Sequence, residues 1–181
     1  MATSSRRSMA VFRLVLAALF LALAIILPLW TGQLKALGKA LCPMHLPVLL
    51  CGFFCGPWYG LAVGVVAPLL RFALFGMPEL ISAVGMCVEL GAYGVLTGVL
   101  YRTFPRKTGY IYLTLILSML SGRILWGLCR VFFLAVWQIP FGWAAFFAGA
   151  FTESTLGIAV QIIVVPLLVM TLEKEVPRLR D

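Results

Sequence analysis

The segment from Leu41 to Gly76 (LCPMHLPVLLCGFFCGPWYGLAVGVVAPLLRFALFG) is apolar but is interrupted by glycine and proline. A helix needs roughly 17–25 residues to cross a bilayer, so this segment is too long for one span and long enough for two short ones. Gly56-Pro57 lies near the middle and is expected to break the helix there. Glycine recurs at every fourth residue from Gly52 to Gly64, a spacing that allows close approach of helix backbones. The segment therefore predicts a tight helical hairpin.

The composition excludes a soluble domain. Hydrophobic residues make up 63% of the 181 residues, charged residues only 11%, and the mean hydropathy is +1.09. A soluble domain of this size could not bury so much apolar surface. The long unbroken apolar runs also differ from the weak alternating segments of membrane β-barrels. We expect an all-α integral membrane protein with a single domain over residues 1–181.

The apolar runs predict six transmembrane helices. Their expected ranges are about 9–30, 43–56, 58–75, 80–101, 110–137 and 152–172. Lysine and arginine collect in cytoplasmic segments of membrane proteins, and here they collect at the N-terminus, in the loop at 102–107 and at the C-terminus. Six spans place these three segments on one side, whereas five would separate them. The sequence therefore predicts cytoplasmic N- and C-termini.

Several function classes find no support in the residues. The net charge of +8 is explained by topology and by contact with anionic membrane lipid, so no nucleic-acid partner is expected. The five cysteines are odd in number and lie mostly in apolar spans, which favours buried thiols over disulfides or a metal site. Residues 32–40 imitate an ATP-binding loop but lack its Ser/Thr. With one histidine and few acids, we predict no catalytic residue, metal or cofactor.

Some charged residues do not follow from the membrane topology. Placing an arginine near the membrane centre costs about 2.5–3.5 kcal/mol on insertion scales, so such a residue normally faces a partner inside the bundle. One group is expected near the outer side, and it comprises His45, Arg71, Glu79, Arg130 and Glu153. Glu89 and Arg123 are expected to lie deeper. The two alternatives are internal ion pairs (Glu89 with Arg123, Glu153 with Arg130) and a ligand pocket.

The pocket interpretation favours a small ligand with a carboxylate. Cations outnumber anions near the outer side once Lys35 and Lys39 are added, and arginine binds carboxylates bidentately. Arg71 or Arg130 would hold the carboxylate. Hydrogen bonds around the rest of the ligand would come from His45, Glu79, Trp126 and Glu153. Glu89 and Arg123 would support the site from below.

Several motifs resemble the substrate-binding (S) components of energy-coupling factor (ECF) vitamin transporters. They are PMHLPV at 43–48, CG at 51–52, GPWYGLAVG at 56–64, APLLR at 67–71, FGMP at 75–78 and SGRILWG at 121–127. The resemblance extends over the whole chain in length, span number and orientation. Within the family the chain looks most like the pantothenate-type branch. Folate, biotin, lipoate, nicotinate and hydroxymethylpyrimidine stay open as alternative ligands.

The resemblance also implies partners and a location. An S component works with one transmembrane coupling subunit and two cytoplasmic ATPase subunits in the bacterial plasma membrane, and it rotates in the membrane to carry its ligand inward. Ala18 and Ala22 are similar to the small-residue motif by which S components meet the coupling subunit. Two other classes remain as alternatives. They are a membrane enzyme acting on a lipid or isoprenoid head group and an assembly subunit without a ligand.

Overall fold

The computed structural model of the chain describes residues 2–31, 41–105, 107–137, 142–149 and 154–175, and these residues form helices and turns without a strand. The helices in chain order are α1 (Ala2–Thr31), α2 (His45–Cys55), α3 (Pro57–Phe75), α4 (Leu80–Thr103), α5 (Thr108–Trp137), α6 (Trp143–Phe147) and α7 (Thr155–Glu175). The prediction of an all-helical protein is confirmed for this part of the chain.

Five of these helices, α1, α3, α4, α5 and α7, are long and apolar enough to cross a membrane. Their bounds agree with the predicted spans to within a few residues, except that α1 begins earlier. The second predicted span forms only the 11-residue α2, which is about 16 Å long at 1.5 Å per residue. A bilayer core is about 30 Å thick, so α2 reaches about halfway, and the count of six complete crossings stays a prediction.

The direction of each helix follows from contacts at the helix ends. Arg102 Nη2 donates to the Cys55 carbonyl at 3.4 Å, and the Tyr101 hydroxyl donates to the Glu173 carboxylate. The ends of α2, α4 and α7 therefore share one end of the bundle, called here the Glu175 end. At the opposite Thr31 end, α1 and α3 finish side by side, because Arg71 Nη1 lies 3.4 Å from the Ile25 carbonyl.

The predicted hairpin is present in α2 and α3. Gly56 breaks the helix with a φ of 96°, a backbone conformation that favours glycine, and Pro57 then occupies the first helical position of α3. The glycine spacing predicts close approach of the two hairpin helices, but in the structure these glycines pack against α4. A side chain at Gly60 would overlap the Gly94 backbone, and one at Gly64 would overlap Leu90. The glycines thus pack the hairpin onto α4, which carries matching glycines of its own.

Two exposed tryptophans lie toward opposite ends of the bundle. Trp30, near the Thr31 end, is 85% exposed, and Trp58, close to the Glu175 end, is 78% exposed. Tryptophan is enriched at both membrane–water interfaces because its ring is apolar and its N–H is polar. The pair therefore agrees with a bundle that crosses a bilayer between these two levels.

Candidate functional site

A buried polar cluster occupies the interior of the bundle and consists of His45, Glu89, Tyr93 and Arg123, called here the central cluster. All four side chains are almost completely buried. Glu89 Oε1 lies 3.1 Å from Arg123 Nε, accepts the Tyr93 hydroxyl at 2.9 Å and lies 3.5 Å from His45 Nε2. A buried carboxylate is stable only when it is paired and hydrogen-bonded, and Glu89 has both kinds of partner.

The short length of α2 explains why His45 belongs to this cluster. The sequence placed His45 near the outer side with Arg71 and Arg130. In the structure, α2 ends at Cys55, which Arg102 contacts at the Glu175 end. A helix of this length rises only about 16 Å from that end at 1.5 Å per residue, so its first residue stops at the depth of Glu89.

Between the ion pair and the Thr31 end of the bundle, which is called here the direction above the ion pair, α4 and α5 face each other along a narrow strip. It is called here the α4–α5 strip and is formed by Ser82, Gly85, Trp126 and Arg130. Arg130 Nη2 donates to Ser82 Oγ at 3.2 Å. The Trp126 indole lies beside Gly85, where an added side-chain carbon would approach the indole nitrogen to 3.4 Å. Because Arg123, Trp126 and Arg130 are spaced at three, four and seven residues, they share one face of α5.

The helix α6 packs an aromatic side chain against the Trp126 side of the strip. The ring of Phe146 on α6 lies 6.2 Å from the Trp126 ring, and a side chain at Gly127 or Gly149 would overlap Phe146 or Trp126. The guanidinium carbon of Arg130 lies 5.4 Å from the Trp126 ring, within the range of a cation–π contact. The strip therefore combines an aromatic wall with a half-buried cation.

Gln161 on α7 is a further candidate that sequence reasoning missed. It is 1% exposed, and neither its amide nitrogen nor its amide oxygen has a hydrogen-bond partner among the described residues. It lies about 21 Å from Glu175 along α7, and Arg123 lies about 22 Å from Thr108 along α5, at 1.5 Å per residue. Since α7 packs against α5 and α2, the amide is at the depth of the central cluster. The sequence signal that points to Gln161 is an amide side chain inside an otherwise apolar span.

Other buried polar atoms of the site also have no hydrogen-bond partner in the part of the chain that the structure describes. They are His45 Nδ1, Arg123 Nη2 and Arg130 Nε. Leaving a buried donor or acceptor unsatisfied costs about 1–3 kcal/mol. The hydroxyls of Thr114 and Ser118, nearer the Glu175 end of α5, are also buried without a partner among the described residues. The unpaired nitrogen atoms of His45, Arg123 and Arg130 lie at the depth of the Gln161 amide or just above it, and this grouping indicates a place for a polar ligand.

The remaining predicted residues lie elsewhere. Arg71 contacts the Ile25 carbonyl and lies over the Phe75 ring at 5.9 Å, so its side chain is directed at α1 and at its own helix. Glu79 is exposed just before α4. Glu153 lies outside the described residues. A role for these three residues in binding stays a prediction, whereas the expected pair of Glu89 and Arg123 is present.

Comparison with known protein families places the chain in a family. A family model described as the substrate-specific component of an ECF transporter matches residues 12–169. This chain belongs to that family. Searches of curated proteins and of solved structures returned no match.

Membership assigns the coarse function. An ECF substrate-specific component is the membrane subunit that binds the substrate in vitamin uptake, and it is not an enzyme. The five long apolar helices agree with a multi-pass membrane protein. The likeness extends over α2 to α6 and most of α1 and α7, so it includes the central cluster, the α4–α5 strip and Gln161.

Proposed function

We propose that this ECF component binds a small anionic vitamin, pantothenate, from outside the cell and delivers it to an ATP-driven importer. The observation that carries the proposal is the α4–α5 strip, where Arg130 and Trp126 lie directly above the central cluster. A half-buried guanidinium whose Nε has no partner among the described residues suits a carboxylate. The atoms of His45, Arg123 and Gln161 that are unpaired within the described part of the chain suit the hydroxyl and amide groups of the same molecule.

The charges near the Glu175 end support an orientation with that end in the cytoplasm. Arg7 and Arg13 lie in the first part of α1, Arg102 and Lys107 flank the α4–α5 turn, and Lys174 lies in the last turn of α7. The positive-inside rule places such residues on the cytoplasmic side. The strip would then face the outside, where a scarce nutrient is captured.

The proposed importer also contains one transmembrane coupling subunit and two cytoplasmic ATPases in the bacterial plasma membrane. Ala18 and Ala22 support a docking face on α1, because both are exposed on the helix surface. Small residues four apart allow another helix to approach closely within lipid. Rotation of the component in the membrane would carry the ligand inward.

The ligand is tested by thermal unfolding of the purified chain in detergent with a vitamin panel. A ligand at 100 times its Kd stabilises the folded state by about 2.7 kcal/mol, so pantothenate should raise the melting temperature and thiamine should not. A shift with biotin, folate, lipoate, nicotinate or hydroxymethylpyrimidine would contradict pantothenate and keep vitamin binding. No shift with any vitamin, for folded protein, would contradict the proposed function and favour an assembly subunit.

A further inference from the structure

The site has two chemically different ends. The deep end lies at Arg123, and the upper end lies at Arg130, closer to the Thr31 end of the bundle. Arg123 and Arg130 are seven residues apart on one face of α5, which places them about 10 Å apart along the helix at 1.5 Å per residue. Arg123 contacts Glu89, whereas Arg130 contacts a serine and an indole. The charge available to a ligand therefore differs between the two levels.

The deep end is unsuitable for an anion. The charge of Arg123 is already balanced by Glu89 at 3.1 Å. A ligand carboxylate placed there would face the Glu89 carboxylate, and two like charges 4 Å apart repel by about 4 kcal/mol at an effective dielectric constant of 20. An anionic group at this level would therefore weaken binding.

The same end is well suited to a neutral group that both donates and accepts hydrogen bonds. Within the part of the chain that the structure describes, the Gln161 amide N–H and carbonyl oxygen are unpaired, and so is the Arg123 Nη2 donor. Hydroxyl, amide and ureido groups can satisfy donors and acceptors together. Filling these positions removes a cost of about 1–3 kcal/mol for each unsatisfied buried atom.

The upper end is suited to the carboxylate. Arg130 has no carboxylate contact among the described residues, and its Nε is buried without a hydrogen-bond partner. Its guanidinium is held in place by Ser82 and by the Trp126 ring. A guanidinium fixed in this way binds a carboxylate without losing much side-chain freedom.

We propose that the site holds its ligand lengthwise, with a neutral hydrogen-bonding group at Gln161 and Arg123 and the carboxylate about 10 Å away at Arg130. This inference rests on the proposed function and specifies the orientation and length of the ligand. Pantothenate and biotin fit, since a flexible chain separates their carboxylate from a hydroxyl, amide or ureido group. Nicotinate carries its carboxylate directly on a small ring and cannot reach both ends.

The test compares pantothenate with pantothenol, in which a primary alcohol replaces the carboxylate. Binding to the purified chain is measured by calorimetry. The native chain should prefer the acid by about tenfold to hundredfold, the range of a hydrogen bond to a charged group. In Arg130→Gln the ratio of acid affinity to alcohol affinity should fall toward one, while the alcohol keeps its affinity. Arg130→Lys should retain much of the preference for the acid. Arg102→Gln, the same type of change at the Glu175 end, should leave it unchanged.

Gln161→Leu gives the complementary result. It should weaken the acid and the alcohol alike, with their ratio preserved. The inference is overturned if Arg130→Gln keeps the full preference for the acid, if it loses the alcohol together with the acid, or if Gln161→Leu removes the preference. If biotin proves to be the ligand, biotin and its primary amide replace this pair. A native chain that binds no vitamin contradicts the proposed function itself.

Discussion

At the scale of single residues, the ion pair of Glu89 and Arg123 buries two charges inside the bundle. Both side chains are at least 93% buried, and the carboxylate also accepts the Tyr93 hydroxyl. Removing two charges from water costs several kcal/mol per ion, which close pairing and hydrogen bonds offset. Each charge is therefore tolerated only while the other is present.

This dependence predicts strong coupling between two substitutions. Arg123→Met alone should lower the free energy of unfolding by about 3–5 kcal/mol, because it leaves Glu89 buried without its cation. Adding Glu89→Gln should recover a large part of that loss. The measurement is a double-mutant cycle of denaturant unfolding in detergent. Additive effects of the two changes would show that the pair is not coupled.

At the scale of helices, glycine sets how closely α3 and α4 pack. An added methyl group at Gly94 would overlap the backbone of Gly60, where neither helix can yield without moving as a whole. Gly94→Ala should therefore destabilise the protein by at least the 1–3 kcal/mol typical of overpacking. Thermal unfolding measures the loss.

Gly109 in the first turn of α5 provides a matched control, because a methyl group there meets none of the described residues within 4 Å. Gly109→Ala should leave the melting temperature unchanged or raise it slightly, since alanine favours helix. Equal effects at the two positions would contradict the close packing of α3 on α4.

The helices show which features the sequence could specify. Apolar length and the Gly56-Pro57 break gave the hairpin and five long helices, since those signals are local. The packing partner of Gly60 and the depth of His45 depend on contacts between distant segments. Gln161 carries no charge, so the charge pattern of the sequence does not single it out. Arg130 and Trp126 were found because their spacing on one helix fixes their common face.

At the scale of the whole molecule, α1 has one face against α2 and α3 and the other exposed. Ala18 and Ala22 lie on the exposed face. If this face docks on the coupling subunit, Ala22→Leu should reduce co-purification with that subunit severalfold, because a bulky side chain separates the helix backbones. Vitamin binding by the isolated chain should be unaffected.

Ala73 supplies the control for docking, because it is an exposed alanine on α3. Ala73→Leu should leave co-purification intact. An equal loss for Ala22→Leu and Ala73→Leu, or no loss for either, would place the docking face elsewhere on the molecule.

The most direct test of the central claim is tryptophan fluorescence of the purified chain titrated with pantothenate, for the native chain and for Trp126→Phe. Trp126 lies between Arg130 and the central cluster, so a ligand in the α4–α5 strip must change its environment. We predict a saturable change in the native chain that is largely lost in Trp126→Phe, while pantothenate still raises the melting temperature of that variant. A saturable change of equal size in both proteins, or none in folded native protein, would contradict a ligand site at the strip.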